Sequence, residues 1–156
     1  MKPIVAVSTP VGAGAISIVR LSGDGALDIA LKVFSCKQKI QPRLVTLGTF
    51  SYNGIKERCL LVYFKAPHSY TGEDIVEFQC HGGELLTREV LKALVENGAR
   101  LAENGEFTKR AFLNGKVSLD SAEGIIDVIN AGTEAELKAG YNLMSGKLYS
   151  EVKALQ

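Results

Sequence analysis

Up to about Val117 the chain mixes short apolar runs of strand length with stripes of helical spacing; beyond it only helical spacing remains. Ile4–Val7 and residues 16–21 are β-branched runs and predict two strands, separated by the turn-prone stretch Thr9-Pro10-Val11-Gly12-Ala13-Gly14. Leu27, Ala30, Leu31 and Phe34 fall on one stripe of a helix predicted over residues 26–34, with Asp24 as its cap. Residues 44–51 and 59–64 read as strands flanking Asn53-Gly54, a pair that accepts the left-handed backbone of a tight hairpin. Residues 74–81 predict a further strand, and residues 84–97 a helix with Gly98 as its C-terminal cap. Residues 100–102 form a short strand candidate, and Glu106–Leu113 a short helix ended by Asn114-Gly115.

In the helical part, Asp120-Ser121-Ala122-Glu123 has capping-box spacing, and Ala122, Ile125, Ile126 and Ile129 make an apolar stripe. From Thr133 onward Leu137, Tyr141, Met144, Leu148, Val152 and Leu155 recur at steps of four or three. That pattern is still running at Gln156, so it reads as a helix cut rather than finished. The fold class expected is α+β: a mixed or antiparallel sheet with helices over residues 1–117, and a C-terminal α-helical segment over residues 118–156.

Composition narrows the function classes. With 46% hydrophobic and 22% charged residues the chain has ordinary globular usage. Its 18 Lys and Arg against 17 Asp and Glu exclude a basic nucleic-acid coat. The 3 cysteines lie far apart without a C-x-x-C, which fits a reducing cytoplasm better than a disulfide framework. The N-terminal apolar run breaks at Ser8 and Pro10, too soon for a signal peptide, and no run reaches a membrane span.

Candidate chemistry comes from charges set among strand residues. Arg20 shares a strand face with Ile16 and Ile18, so its guanidinium either reaches out to water, pairs with an acid or meets a ligand. Glu77 shares a face with Ile75, Gln79 and His81, which implies a solvated face or a polar cavity. Its two oxygens suit a flat edge offering adjacent N–H donors. Cys80 and His81 point to opposite faces of one strand, and the only other histidine is His68, so no metal set converges. Lys109, Arg110 and Lys116 offer either an anion-friendly corner or a wet helix face. The G-x-x-x-x-G-K-[ST] phosphate loop occurs nowhere, so this chain alone is not expected to hydrolyse a nucleotide.

Four blocks in order carry a resemblance: Ser8-Thr9-Pro10-Val11-Gly12-Ala13-Gly14-Ala15-Ile16, Ser69-Tyr70-Thr71-Gly72-Glu73-Asp74-Ile75-Val76-Glu77, Cys80-His81-Gly82-Gly83, and residues 105–116. With Leu119-Asp120-Ser121-Ala122-Glu123 following, the sequence resembles the N-terminal part of the tRNA modification GTPase family MnmE, also called TrmE. Val11 and Ala13 depart from a second proline and a basic residue often found there, and Asn104 departs from a proline before Gly-Glu-Phe.

The resemblance implies a tetrahydrofolate-binding domain like that of glycine-cleavage T-protein, followed by the start of a helical domain. It implies folate contacts at Arg20, Glu77 and Lys116, with 5-formyl- or 5,10-methylene-tetrahydrofolate as the one-carbon donor. It further implies a homodimer through the N-terminal domain and an FAD-dependent partner, MnmG. Together these modify the 5-position of the wobble uridine of tRNA, while GTP, Mg and K belong to the full-length protein. The alternative is a purely structural dimerisation module without folate binding.

Overall fold

Val19 and Leu21 are fully buried while Ile18 and Arg20 are partly exposed, the alternation of a strand with one face on a core. This strand, β2 (Ile16–Ser22), pairs antiparallel with β1 (Ile4–Val7) on one side and with β6 (Ile75–His81) on the other. The computed structural model describes residues 1–10, 12 and 14–146. In it the chain divides into two compact units, Met1–Phe107 and Thr108–Gln156.

The first unit carries a seven-stranded mixed sheet. Its remaining strands are β3 (Phe34–Ser35), β4 (Thr46–Tyr52), β5 (Ile55–Phe64) and β7 (Arg100–Leu101), in the order β3-β4-β5-β6-β2-β1-β7. Every pairing is antiparallel except that of β1 with β7. The β4–β5 hairpin turns through Asn53 at φ 48° and Gly54 at φ 82°, the left-handed pair that matches the twist of its strands.

Helices α1 (Ala26–Leu31) and α2 (Glu84–Glu96) cover one face of the sheet. Ile29, Val90 and Leu94 from the helices join Val5, Leu21, Leu61, Val76 and Phe78 from the strands in one core. Phe78 meets both Phe34 and Phe50 edge-on, with ring centroids 5.9 and 6.4 Å away, a geometry that adds to the area each ring buries. Alternation therefore sends Arg20 and Glu77 to the face away from α1 and α2.

The division between the units falls within α3 (Glu106–Leu113), ahead of Val117. The second unit pairs α4 (Leu119–Asn130) with α5 (Glu134–Met144). A capping box opens α5: Thr133 Oγ1 accepts from the Glu136 N–H, and the Glu136 carboxylate accepts from the Thr133 N–H. The Gly132 and Thr133 N–H groups hold that carboxyl below the usual range.

Several expectations change. The first helix stops at Leu31, and Phe34 opens β3 opposite Phe50, because pairing buries its ring better than another helical turn would. Asp24 does not cap that helix. Gly25 holds the cap position in the left-handed region, and Asp24 faces the terminal ammonium of Met1 at 3.3 Å.

Asp120-Ser121-Ala122-Glu123 is not a helix start either. Ser118 caps α4 by accepting from the Ser121 N–H, ahead of the Asp120 that the acidic pattern implied. Ile126 and Ile129 are exposed, and the buried position of α4 is Gly124. The long helix read from Thr133 ends at Met144, closed by Ser145 and by Gly146 at φ 69°. Its predicted continuation through Leu148, Val152 and Leu155 lies outside the described residues.

Candidate functional site

The antiparallel register of β2 with β6 sets Arg20 opposite Glu77. Their side chains meet through one bond, Arg20 Nε to Glu77 Oε1 at 2.8 Å. The carboxylate is the more shielded partner, 13% exposed against 29% for the guanidinium. Among the described residues that bond is the only polar contact of either side chain, so Nη1, Nη2 and Oε2 carry no protein partner.

Two aromatic rings flank the guanidinium. The Tyr70 centroid lies 5.9 Å from Arg20 Cζ and that of Phe107 5.8 Å, both within cation–π range. Tyr70 and Phe107 lie within the sequence motifs, but nothing in the sequence marks a role for either. A lone aromatic in a loop, or at the first turn of a helix, has no periodicity to mark it.

The loop that brings Tyr70 is clamped on β2. Ser22 Oγ lies 2.8 Å from Thr71 Oγ1 and donates to Glu73 Oε2 at 2.9 Å, with Ser22 and Thr71 both fully buried. Thr71 Oγ1 accepts in turn from the Glu73 N–H at 3.2 Å, and Gly72 makes the turn at φ 78°. The Ala66 N–H donates to Asp74 Oδ1 at 2.8 Å and closes the loop at its base. Thr71-Gly72-Glu73-Asp74 is thus a self-bonded hook that fixes Tyr70 relative to the strand carrying Arg20.

Lys116, the third candidate, belongs to the second unit. It is exposed, and its N–H donates to the Ala111 carbonyl at 2.8 Å while Gly115 at φ 68° donates to Phe112 at 3.0 Å. These bonds make a Schellman ending for α3, which places Lys116 just past the helix. The basic corner of Lys109, Arg110 and Lys116 is not a shared exposed patch: Arg110 is buried at 2% exposure while Lys109 and Lys116 are exposed.

Cys80 and His81 part as strand neighbours do. The Cys80 thiol is buried beside Cys59, which bonds to it and pushes its pKa up, while the same contact lowers that of Cys59. His81 Nδ1 and its own main-chain N–H both meet Glu57 Oε1, at 2.7 and 3.0 Å. Among the described residues no three His, Cys, Asp or Glu gather as a metal site. No helix among them is long and apolar enough to cross a membrane.

Fold and site define an α+β domain with a cation–carboxylate pair on the sheet face turned away from α1 and α2. Residues 3–116 match the family described as the N-terminus of the GTP-binding protein TrmE, and the chain belongs to that family. It is 47% identical over 158 residues to the tRNA modification GTPase MnmE of Aquifex aeolicus, covering 99% of this chain and 35% of that protein. The MnmE protein of Fervidobacterium nodosum is 47% identical over 159 residues, covering 98% of this chain and 35% of the relative. That of Thermotoga maritima is 46% identical over 157 residues, covering 100% and 35%. The chain thus spans about a third of the length of these relatives.

Proposed function

We propose that this chain is the reduced-folate-binding part of a tRNA-modifying GTPase, with Arg20, Glu77 and Lys116 as its folate contacts. The observation that carries the reading is the one-edged Arg20–Glu77 bond. It leaves guanidinium donors and a carboxylate acceptor side by side, next to two aromatic rings. A pterin edge offers a ring N–H beside an amino group and a carbonyl, which matches that donor and acceptor set. Lys116 supplies a cation for a carbonyl or for the glutamate carboxylates of the ligand. When bound, 5-formyl- or 5,10-methylene-tetrahydrofolate supplies a one-carbon unit; the chain's own residues bind and orient it.

The wider reading follows from the names of the relatives and the sequence resemblance. A homodimer through the first unit works in the cytoplasm with the FAD-dependent MnmG on the 5-position of wobble uridine in tRNA. GTP, Mg and K act in the full-length protein, and the first unit shares the fold of the T-protein folate domain. Exposed Ile16 and Leu47, which border one shallow depression of about 190 Å³, support self-association.

Calorimetric titration with 5-formyltetrahydrofolate tests the reading. Saturation near one ligand per chain is expected. Absence of saturable binding leaves the alternative, a dimerisation module.

A further inference from the structure

Glu106, the first residue of α3, is buried and uses both carboxylate oxygens to fix that helix start. Oε1 accepts from Arg100 Nη2, while Oε2 accepts from Arg100 Nη1 at 2.8 Å and from the Glu103 N–H at 2.8 Å. Arg100 is itself tied to the sheet: its N–H donates to the Pro3 carbonyl at 2.9 Å, and the Ala102 N–H donates to the Val5 carbonyl at 3.0 Å. Those bonds fasten β7 along β1, the neighbour of the strand that holds Arg20. A two-pronged Arg–carboxylate contact fixes orientation as well as distance. A helix start needs only a cap in water, so a forked ion pair that shields Glu106 to 9% exposure, with Arg100 40% exposed, exceeds what α3 requires for its own stability. The residue that follows is Phe107, whose ring faces the Arg20 guanidinium.

We propose that Arg100–Glu106 is a positioning pair: it seats Phe107 against Arg20 and so sets how tightly the Arg20–Glu77 site holds its ligand. The ligand half rests on the reduced-folate reading; the seating of Phe107 does not.

Two measurements test it. The first follows the Arg20 Nε–H cross-peak in a proton–nitrogen correlation spectrum without ligand. Glu106→Gln and Phe107→Leu are both expected to move that peak, and the double variant to match Phe107→Leu, with the sheet amides unshifted. A peak left in place by Glu106→Gln overturns the proposal.

The second is calorimetry with 5-formyltetrahydrofolate. Each single variant is expected to bind about fivefold more weakly, and the double variant no more weakly than Phe107→Leu. Additive losses mean Glu106 does not act through Phe107, and overturn it. If the wild-type chain takes up no 5-formyltetrahydrofolate, the folate reading fails and the cross-peak alone decides the seating. Arg100→Lys, which keeps the charge and loses the fork, carries the same expectations should Glu106→Gln not fold.

Discussion

Gly124 of α4 and Gly140 of α5 let the two helices touch backbone to backbone. A Cβ on Gly124 would lie 2.8 Å from the Gly140 carbonyl oxygen and 2.3 Å from the Met144 amide nitrogen. A Cβ on Gly140 would lie 2.9 Å from the Val128 nitrogen and 3.0 Å from the Asp127 Cβ. Alanine gains up to about 1 kcal/mol of helix propensity over glycine, whereas overpacking costs about 1–3 kcal/mol. At Gly124 the obstruction is main chain, so the steric cost wins. Gly124→Ala is expected to speed amide exchange in α4 and α5 markedly, and Gly140→Ala to do so less. Equal or greater protection in Gly124→Ala would contradict the close crossing.

The cysteines differ in reactivity for reasons of access. Cys59 and Cys80 are 2% and 3% exposed in the sheet core, whereas Cys36 is half-buried. The lowered pKa of Cys59 comes from the Cys80 thiol bonded to it and does not open a path to solvent. A maleimide is therefore expected to label Cys36 alone in the native chain, and Cys59 and Cys80 only in denaturant. Peptide mapping of the labelled chain reads this directly.

Tyr63 links stability to alkaline pH. Burial, and then its hydrogen bond to Asp74, push its phenol up to about 12. The unfolded phenol titrates near 10. With the folded value raised, the neutral phenol's contribution is fully present below about pH 10 and is lost as pH rises toward 12. Tyr63→Phe is expected to remove a late step from the ultraviolet phenolate titration and to flatten the stability loss in that window. An unchanged late step would assign it elsewhere.

Phe78 anchors the packing beneath the site strand. It is fully buried and meets Phe34 and Phe50 edge-on. Phe78→Ala is expected to cost about 3–5 kcal/mol in denaturant unfolding. A loss near zero would mean that the three rings do not form the core.

What the sequence made legible was local. Asn53-Gly54 announced its hairpin because the turn needs nothing beyond those two residues. Strand alternation placed Arg20 on a face with Ile16 and Ile18, and Glu77 on one with Ile75, Gln79 and His81. Their contact spans 57 residues and depends on β2 lying beside β6, which periodicity does not encode. Tyr70 and Phe107 stayed silent for the same reason, since each gains meaning only beside Arg20. Phe34 continued a helical stripe in spacing while the sheet offered it a partner in Phe50. The apolar period runs across Gly146 and masks it, although a glycine past a helix end is a stop signal.

The central claim is that Arg20 and Glu77 hold a reduced folate. Its most direct test is calorimetric titration of 5-formyltetrahydrofolate into the wild-type chain, Arg20→Ala and Glu77→Ala, with far-ultraviolet circular dichroism as the check on fold. Charge-assisted hydrogen bonds of this kind contribute about 1.5–3 kcal/mol, so each variant is expected to bind at least about tenfold more weakly while keeping the wild-type spectrum. Wild-type affinity in both folded variants would contradict the account.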